Sequence, residues 1–291
     1  MEIRKAHDRR EWAIELIEAI EEQAPHFTTR ITRHQNPESA AASVRDFLGV
    51  SLDKQRAWRD QYEALRNWRR LIEKVGILTF QALGVEVDEA RGFSTSDTPF
   101  PVAVANVKDA QRGRIFTLLH EVAHILLRGG GICDLHQSHD DENSHIEAFC
   151  NHVAGAVLFP RDELLATETV RRHQGGDRAW SDEELRDISR QFGGSREAAL
   201  VRLLTLGLTN DAYYQQRRTE FLRQYAEWKR QQKGFPTPHV VAVSSAGEAF
   251  AGLVLENFNR ERITASDVSD YLGIRAKHLP EIQRDYSNLA V

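Results

Sequence analysis

Two histidines four residues apart with a glutamate behind the first, His120-Glu121-Val122-Ala123-His124, carry the strongest chemical signal in this chain. On a helix that spacing puts both imidazoles on one face, a turn apart, within reach of a single zinc ion. Glu121 is offset by one residue, close enough to hold a water and take its proton without being a ligand. Zinc lowers the pKa of water toward ~7, so a carboxylate base suffices at neutral pH. Leu118, Leu119, Val122, Ile125 and Leu126 make the surrounding helix apolar. An accidental match would therefore leave two half-buried histidines with no evident partner.

A hydrolytic zinc site needs a third protein ligand and an open fourth position. Glu147 stands 23 residues after His124 (147 minus 124), near the start of a separate helix that can come alongside the first. Asn151, one turn on, is a candidate to support it. The residues leave alternatives open. Ser144 and Glu147 have the three-residue spacing of a capping box, and His136, His139, Asp140 and His145 are rival ligands.

These residues must be positioned by a chain that reads as α+β and mostly helical. Apolar residues recur at helical spacing from Arg9 to about Glu73. Strand-like runs follow at 77–80 and 101–105, then a helix over 114–127 stopped by Gly129-Gly130-Gly131. A polar loop over 132–144 leads to a helix over 145–158 that ends before Pro160. Ser181 with Glu184 forms a capping box, and two short helices flank Gly193-Gly194-Ser195 in a helix-turn-helix-like outline. A basic helix over 212–233 precedes a last module with one strand, 240–243, and helices. The expected organisation is a helical N-terminal region (1–75), a core holding the zinc motif (76–165), a helical region (166–235) and a small C-terminal module (236–291).

The bulk properties are compatible with this reading and narrow it little. The 291 residues carry a formal charge of -5, too mild to imply a polyanionic partner. The charged start Met1-Glu2-Ile3-Arg4-Lys5 is unlike a signal peptide, and no run of about 18 apolar residues occurs that would span a membrane. Two cysteines, Cys133 and Cys150, are too few for a disulfide framework. The expected compartment is the cytoplasm, with no membrane partner.

The stretch from Pro101 to Pro160 resembles the ImmA/IrrE family of zinc metallopeptidases. Its blocks are Pro101-Val102-Ala103-Val104-Ala105-Asn106, then Arg114-Ile115-Phe116-Thr117-Leu118-Leu119 running into the histidine motif, then Glu147-Ala148-Phe149-Cys150-Asn151-His152-Val153-Ala154, and finally Leu158-Phe159-Pro160. Cys150 and Val153 stand where the family usually has Ala and Phe, which alters packing and not the ligands. The similarity continues more weakly to the C-terminus. The resemblance implies a zincin-like core with a small sheet, and Zn2+ held by His120, His124 and Glu147 with Glu121 as catalytic base. It also implies a protein substrate, typically a helix-turn-helix repressor encoded nearby, in stress responses, mobile elements or toxin-antitoxin-like pairs. Many relatives begin with a DNA-binding helix-turn-helix; no such motif stands before residue 75.

The competing class is a DNA-binding or partner-binding regulator with a structural or vestigial zinc site. Its support is the helix pair around Gly193 and a similar outline from Thr264 to Glu281. Around Gly193, however, Asp182, Glu183, Glu184, Asp187 and Glu197 outnumber Arg186, Arg190, Arg196 and Arg202, whereas a groove-entering helix carries a basic excess. The basic helix from Ala212 interleaves aromatics with Arg217, Arg218, Arg223, Lys229 and Arg230, a composition that suits a nucleic-acid effector. Phe221, Tyr225 and Trp228 nevertheless share one stripe, as a core-facing side would. Cys133, nine residues after His124 (133 minus 124), is a candidate switch ligand for zinc's open position, since a thiolate binds zinc well.

Overall fold

The computed structural model describes residues 1–127, 141–173, 178–231 and 237–289. Four helices open the chain: α1 (Glu2–Ala19), α2 (Pro37–Leu48), α3 (Leu52–Arg56) and α4 (Gln61–Lys74). Three short strands follow, β1 (Leu78–Ala82), β2 (Gly92–Thr95) and β3 (Val102–Asn106), and then α5 (Gln111–Leu127) and α6 (Asp141–Leu158). Short helices α7 (Arg161–Ala166) and α8 (Glu168–Arg172) lead to α9 (Asp182–Phe192), α10 (Arg196–Thr205) and the long α11 (Asp211–Gln231). The chain closes on α12 (Pro238–Ala246), α13 (Glu248–Asn259), α14 (Ala265–Leu272) and α15 (Leu279–Leu289). The fold is α+β and mostly helical, as its periodicities require.

Strand alternation divides the interior in two. Leu78, Phe80, Val102, Val104 and Phe93 turn to one side of the sheet, onto Ala13 of α1 and Phe250 and Val254 of α13. Ala103 and Ala105 turn to the other, where Ile115, Leu118 and Val122 of α5 pack. Two alanines at the centre of that face let the helix lie close to the strands. Because α5 is covered by the sheet, α4 and α6, it buries side chains around nearly its whole circumference.

The strand order is β1-β3-β2, with β1 parallel to β3 in the register Leu78↔Val102 and β2 antiparallel to it in the register Gly92↔Ala105. The strand-like run at 101–105 is therefore the central strand, with both edges paired. The edge beside α5 belongs to β2, which sequence reading did not assign. A correction concerns 240–243, expected as a strand. Those residues lie inside α12, where Ala242 and Ala246 pack beneath the sheet, and tertiary burial overrides the strand preference of its valines.

Helices α9 and α10 enclose Gly193, which adopts a left-handed conformation, and the Ser181–Glu184 capping box forms. The second helix is built into the core: α10 buries Ala199, Leu200, Arg202 and Leu203 and packs on α6 and α11. Phe221 of α11 is buried in the same core, and the Tyr225 hydroxyl donates to the Lys108 carbonyl at 2.8 Å, so these two aromatics of the basic helix face inward.

Arg202 is 1% exposed and grips Glu38 of α2 with two bonds, Nη1 to Oε1 at 2.7 Å and Nη2 to Oε2 at 2.6 Å. His152 adds a contact to Oε1 at 2.9 Å. Burial alone pushes the Glu38 carboxyl up, but Arg202 and His152 outweigh it and hold the group below the usual carboxylate range. A depressed carboxylate contributes stability above its unfolded pKa that is lost as pH falls through its folded one. Glu38→Gln is accordingly expected to cost about 2–4 kcal/mol at neutral pH, because it leaves Arg202 buried without its counter-charge. The deficit should shrink at pH values below the ordinary carboxylate range, where the wild type loses the same pair. Urea unfolding at neutral and at acid pH checks this, and an equal deficit at each contradicts it.

Candidate metal centre

Helix α5 packs on β2 and β3, with Thr117 and Glu121 against β2, and it also packs on α6. That packing brings together three side chains from two helices. Nε2 of His120 and Nε2 of His124 are 3.0 Å apart, and they lie 3.2 Å from Oε2 and Oε1 of Glu147 respectively. The ligand atoms of all three residues fall within 4.8 Å of one another. Side-chain exposure runs from 6% at His124 through 14% at His120 to 54% at Glu147, so the cluster has a buried floor and an open mouth.

The donors fit a metal ion. Two neutral ring nitrogens at this distance turn lone pairs toward each other and toward a carboxylate. A cation at ~2.0–2.1 Å from each nitrogen fits nitrogens about 3–3.4 Å apart. Nδ1 of His120 is buried with no hydrogen-bond partner among the described residues, so Nε2, the nitrogen turned to Glu147, is the one in use. His120 and then His124 hold the Glu147 carboxylate well below its ordinary range, keeping it ionised as a ligand must be.

Glu121 is not one of the three clustered donors and lies beside them, against β2. It is 5% exposed and its Oε2 accepts from the Ser94 hydroxyl at 2.7 Å. Burial pushes the carboxyl above its usual range, against the pull of His120, Ser94 and His124. Room for it comes from Gly92. A Cβ there would stand 2.3 Å from Thr117 Cγ2, 2.5 Å from the Val104 carbonyl oxygen and 3.3 Å from Glu121 Oε1. Gly92→Ala is therefore expected to destabilise the chain by about 1–3 kcal/mol through overpacking between β2 and α5. Urea denaturation reads this, and an unchanged midpoint refutes it. Ser94 and Gly92 went unnoticed in the sequence; their only signal is a four-residue run with a single large apolar residue, Phe93.

Among the rival ligands, His145 is exposed and lies outside the cluster. Helix α6 begins at Asp141, so Ser144 sits within its first turn and is not the residue that caps it. Asn151 is exposed. Cys133, His136, His139 and Asp140 lie outside the described residues. Cys150 is buried in the core on α6.

Residues 72–204 match the family model of the IrrE N-terminal-like domain, a peptidase family designated M78. This segment belongs to that metallopeptidase family. No curated protein matches the chain. The IrrE-like domain contains all three strands, the whole histidine-glutamate cluster and both α9 and most of α10. The helix pair around Gly193 is thus part of the peptidase domain, consistent with its burial in the common core. No helix among the described residues is long and apolar enough to cross a membrane.

Proposed function

We propose that the chain is a zinc-dependent endopeptidase in which His120, His124 and Glu147 hold the metal, Glu121 is the general base, and the substrate is one specific protein. The observation that carries this is the pairing of a metal-compatible cluster with a buried, tethered carboxylate on the same helix. A structural metal site has no use for Glu121, whose burial without a cationic partner is costly.

Zinc bound there would supply Lewis acidity, acidifying water and polarising a scissile carbonyl. The residues of the chain do the rest. Ser94 fixes one oxygen of Glu121, leaving Oε1 to accept the proton of the attacking water and later to deliver it to the departing amine. A raised carboxyl pKa suits both halves of that transfer. The outer edge of β2 has no strand partner among the described residues, so an extended substrate segment can add to it antiparallel and run past Glu121.

The specific substrate we infer is a helix-turn-helix repressor encoded beside the enzyme, in a stress, phage-related or toxin-antitoxin-like response. The support is the family resemblance, together with helical elements on both sides of the peptidase domain that can engage a folded partner. Incubation of the zinc-loaded chain with such a neighbouring repressor is expected to give one discrete cut, with casein left intact. Efficient digestion of casein without preference for the repressor would overturn the specificity.

A further inference from the structure

A crevice of 420 Å³ opens where α4, the first turn of α5, the end of β1 and α12 meet, and no residue of the metal cluster lines it. Its mouth gathers three of the five large apolar side chains that stand exposed among the described residues: Tyr62 at 57%, Leu83 at 39% and Val240 at 47%. Leu65, Val107 and Val243 continue the apolar wall inward. Clustered exposure of this kind marks a binding surface more often than chance scatter does.

The floor is cationic. Arg69 is 8% exposed and bonds neutral acceptors, Nε to Thr79 Oγ1 at 3.0 Å, Nη1 to the Ser244 carbonyl at 2.7 Å and Nη2 to the Thr79 carbonyl at 2.8 Å, with Glu73 standing off at 4.0 Å. Arg114 is 9% exposed and gives Nη1 to Gln81 Oε1 at 2.6 Å, but its Nε is buried with no partner among the described residues. Among the described residues it makes no ion pair. Gln111, on the same turn of α5, leaves its amide oxygen buried and unpartnered as well. Three arginines, Arg66, Arg69 and Arg114, line the crevice against one carboxylate, Glu248, which Arg70 already holds at 2.5 Å. Burial, with the charge of Arg69 adding to it, lowers the Arg114 guanidinium to about 10.

A nearly buried guanidinium with no carboxylate in ion-pair contact among the described residues, Asp109 acting on it only from farther off, is expensive. Apolar walls converging on a few unsatisfied polar groups, in a volume of about 300–1,000 Å³, are the make-up of a small-molecule site. We propose that this crevice binds a small amphipathic carboxylate, its apolar body between Tyr62, Leu83 and Val240 and its carboxylate on Arg114. A bound carboxylate would complete Arg114 through charge-assisted bonds. A neutral ligand of the same shape leaves that group unpaired and binds more weakly.

The test uses decanoate and its uncharged counterpart 1-decanol, titrated calorimetrically into the full chain, with and without added zinc so that the result does not depend on the peptidase assignment. Decanoate is expected to bind one per chain, about tenfold or more tighter than 1-decanol. Arg114→Gln should abolish that preference while leaving 1-decanol binding in place, and Leu83→Trp, at an exposed position, should block both by filling the mouth. Absence of saturable decanoate binding, equal affinity for acid and alcohol, or binding indifferent to Leu83→Trp would each overturn the proposal. Should Arg114→Gln fail to fold by circular dichroism, the acid–alcohol comparison and Leu83→Trp still decide it.

Discussion

Glu121→Gln is expected to keep a full complement of metal and to lose cleavage of its protein substrate by about a hundredfold or more, the usual contribution of a general base. The substitution is isosteric, so the side chain stays in the space left by Gly92, and the Ser94 hydroxyl can still donate to the amide oxygen. What it removes is the capacity to accept a proton. Glu121 is not among the three clustered donors, so metal affinity has no reason to change. Stability should not fall either. Burial raises the Glu121 carboxyl, which means that the ionised form is disfavoured in the folded chain, and a neutral amide escapes that penalty. The decisive comparison is elemental analysis beside cleavage of a verified substrate. Retained turnover at wild-type metal content would refute the role of Glu121, and metal loss would show that the carboxylate supports the ion.

Local chemistry made the centre of the site legible. A four-residue spacing on a helix is rigid, so His120 and His124 could be placed on one face before any tertiary arrangement was known. Glu147 was harder, because spacing alone leaves the angle between two helices free. Its choice over His145 rested on the resemblance, and the crossing of α5 and α6 brings Glu147 to both imidazoles while His145 faces solvent. The rest of the setting depends on long-range pairing. Nothing local says that β3 lies between β1 and β2, and β2 itself is four residues long with too little alternation to announce a strand. Ser94 could not be linked to Glu121 without that order. The valines at 240, 241 and 243 favoured a strand, yet Pro238 after Thr237 was a helix-start signal, and packing beneath the sheet decided between them. The left-handed Gly193 and the Ser181–Glu184 box were legible because both act within a few residues.

Zinc added to the wild-type chain is expected to bind at about one per chain and to raise its unfolding midpoint, whereas His120→Ala, His124→Ala and Glu147→Ala should each lose most of both effects, since two protein ligands are too few for a stable site. Glu147→Ala is the most informative of the three. The two histidines share α5 and stay close to each other without the metal, but Glu147 belongs to α6 and is 54% exposed, held to them across the gap between helices. A metal ion joined to all three therefore clamps α6 onto α5, and its binding free energy appears as stability of that contact. At free zinc a hundredfold above its dissociation constant the gain is about 2.7 kcal/mol. A chelator should remove it from the wild type while leaving Glu147→Ala, already without the clamp, unmoved. Glu147→Gln separates charge from shape: an amide fits the same space but is a poorer ligand, so it should resemble alanine in zinc content. If Glu147→Ala instead retained full zinc at wild-type affinity, the third ligand would have to come from elsewhere in the chain, and the pairing of α5 with α6 would be packing rather than metal chemistry.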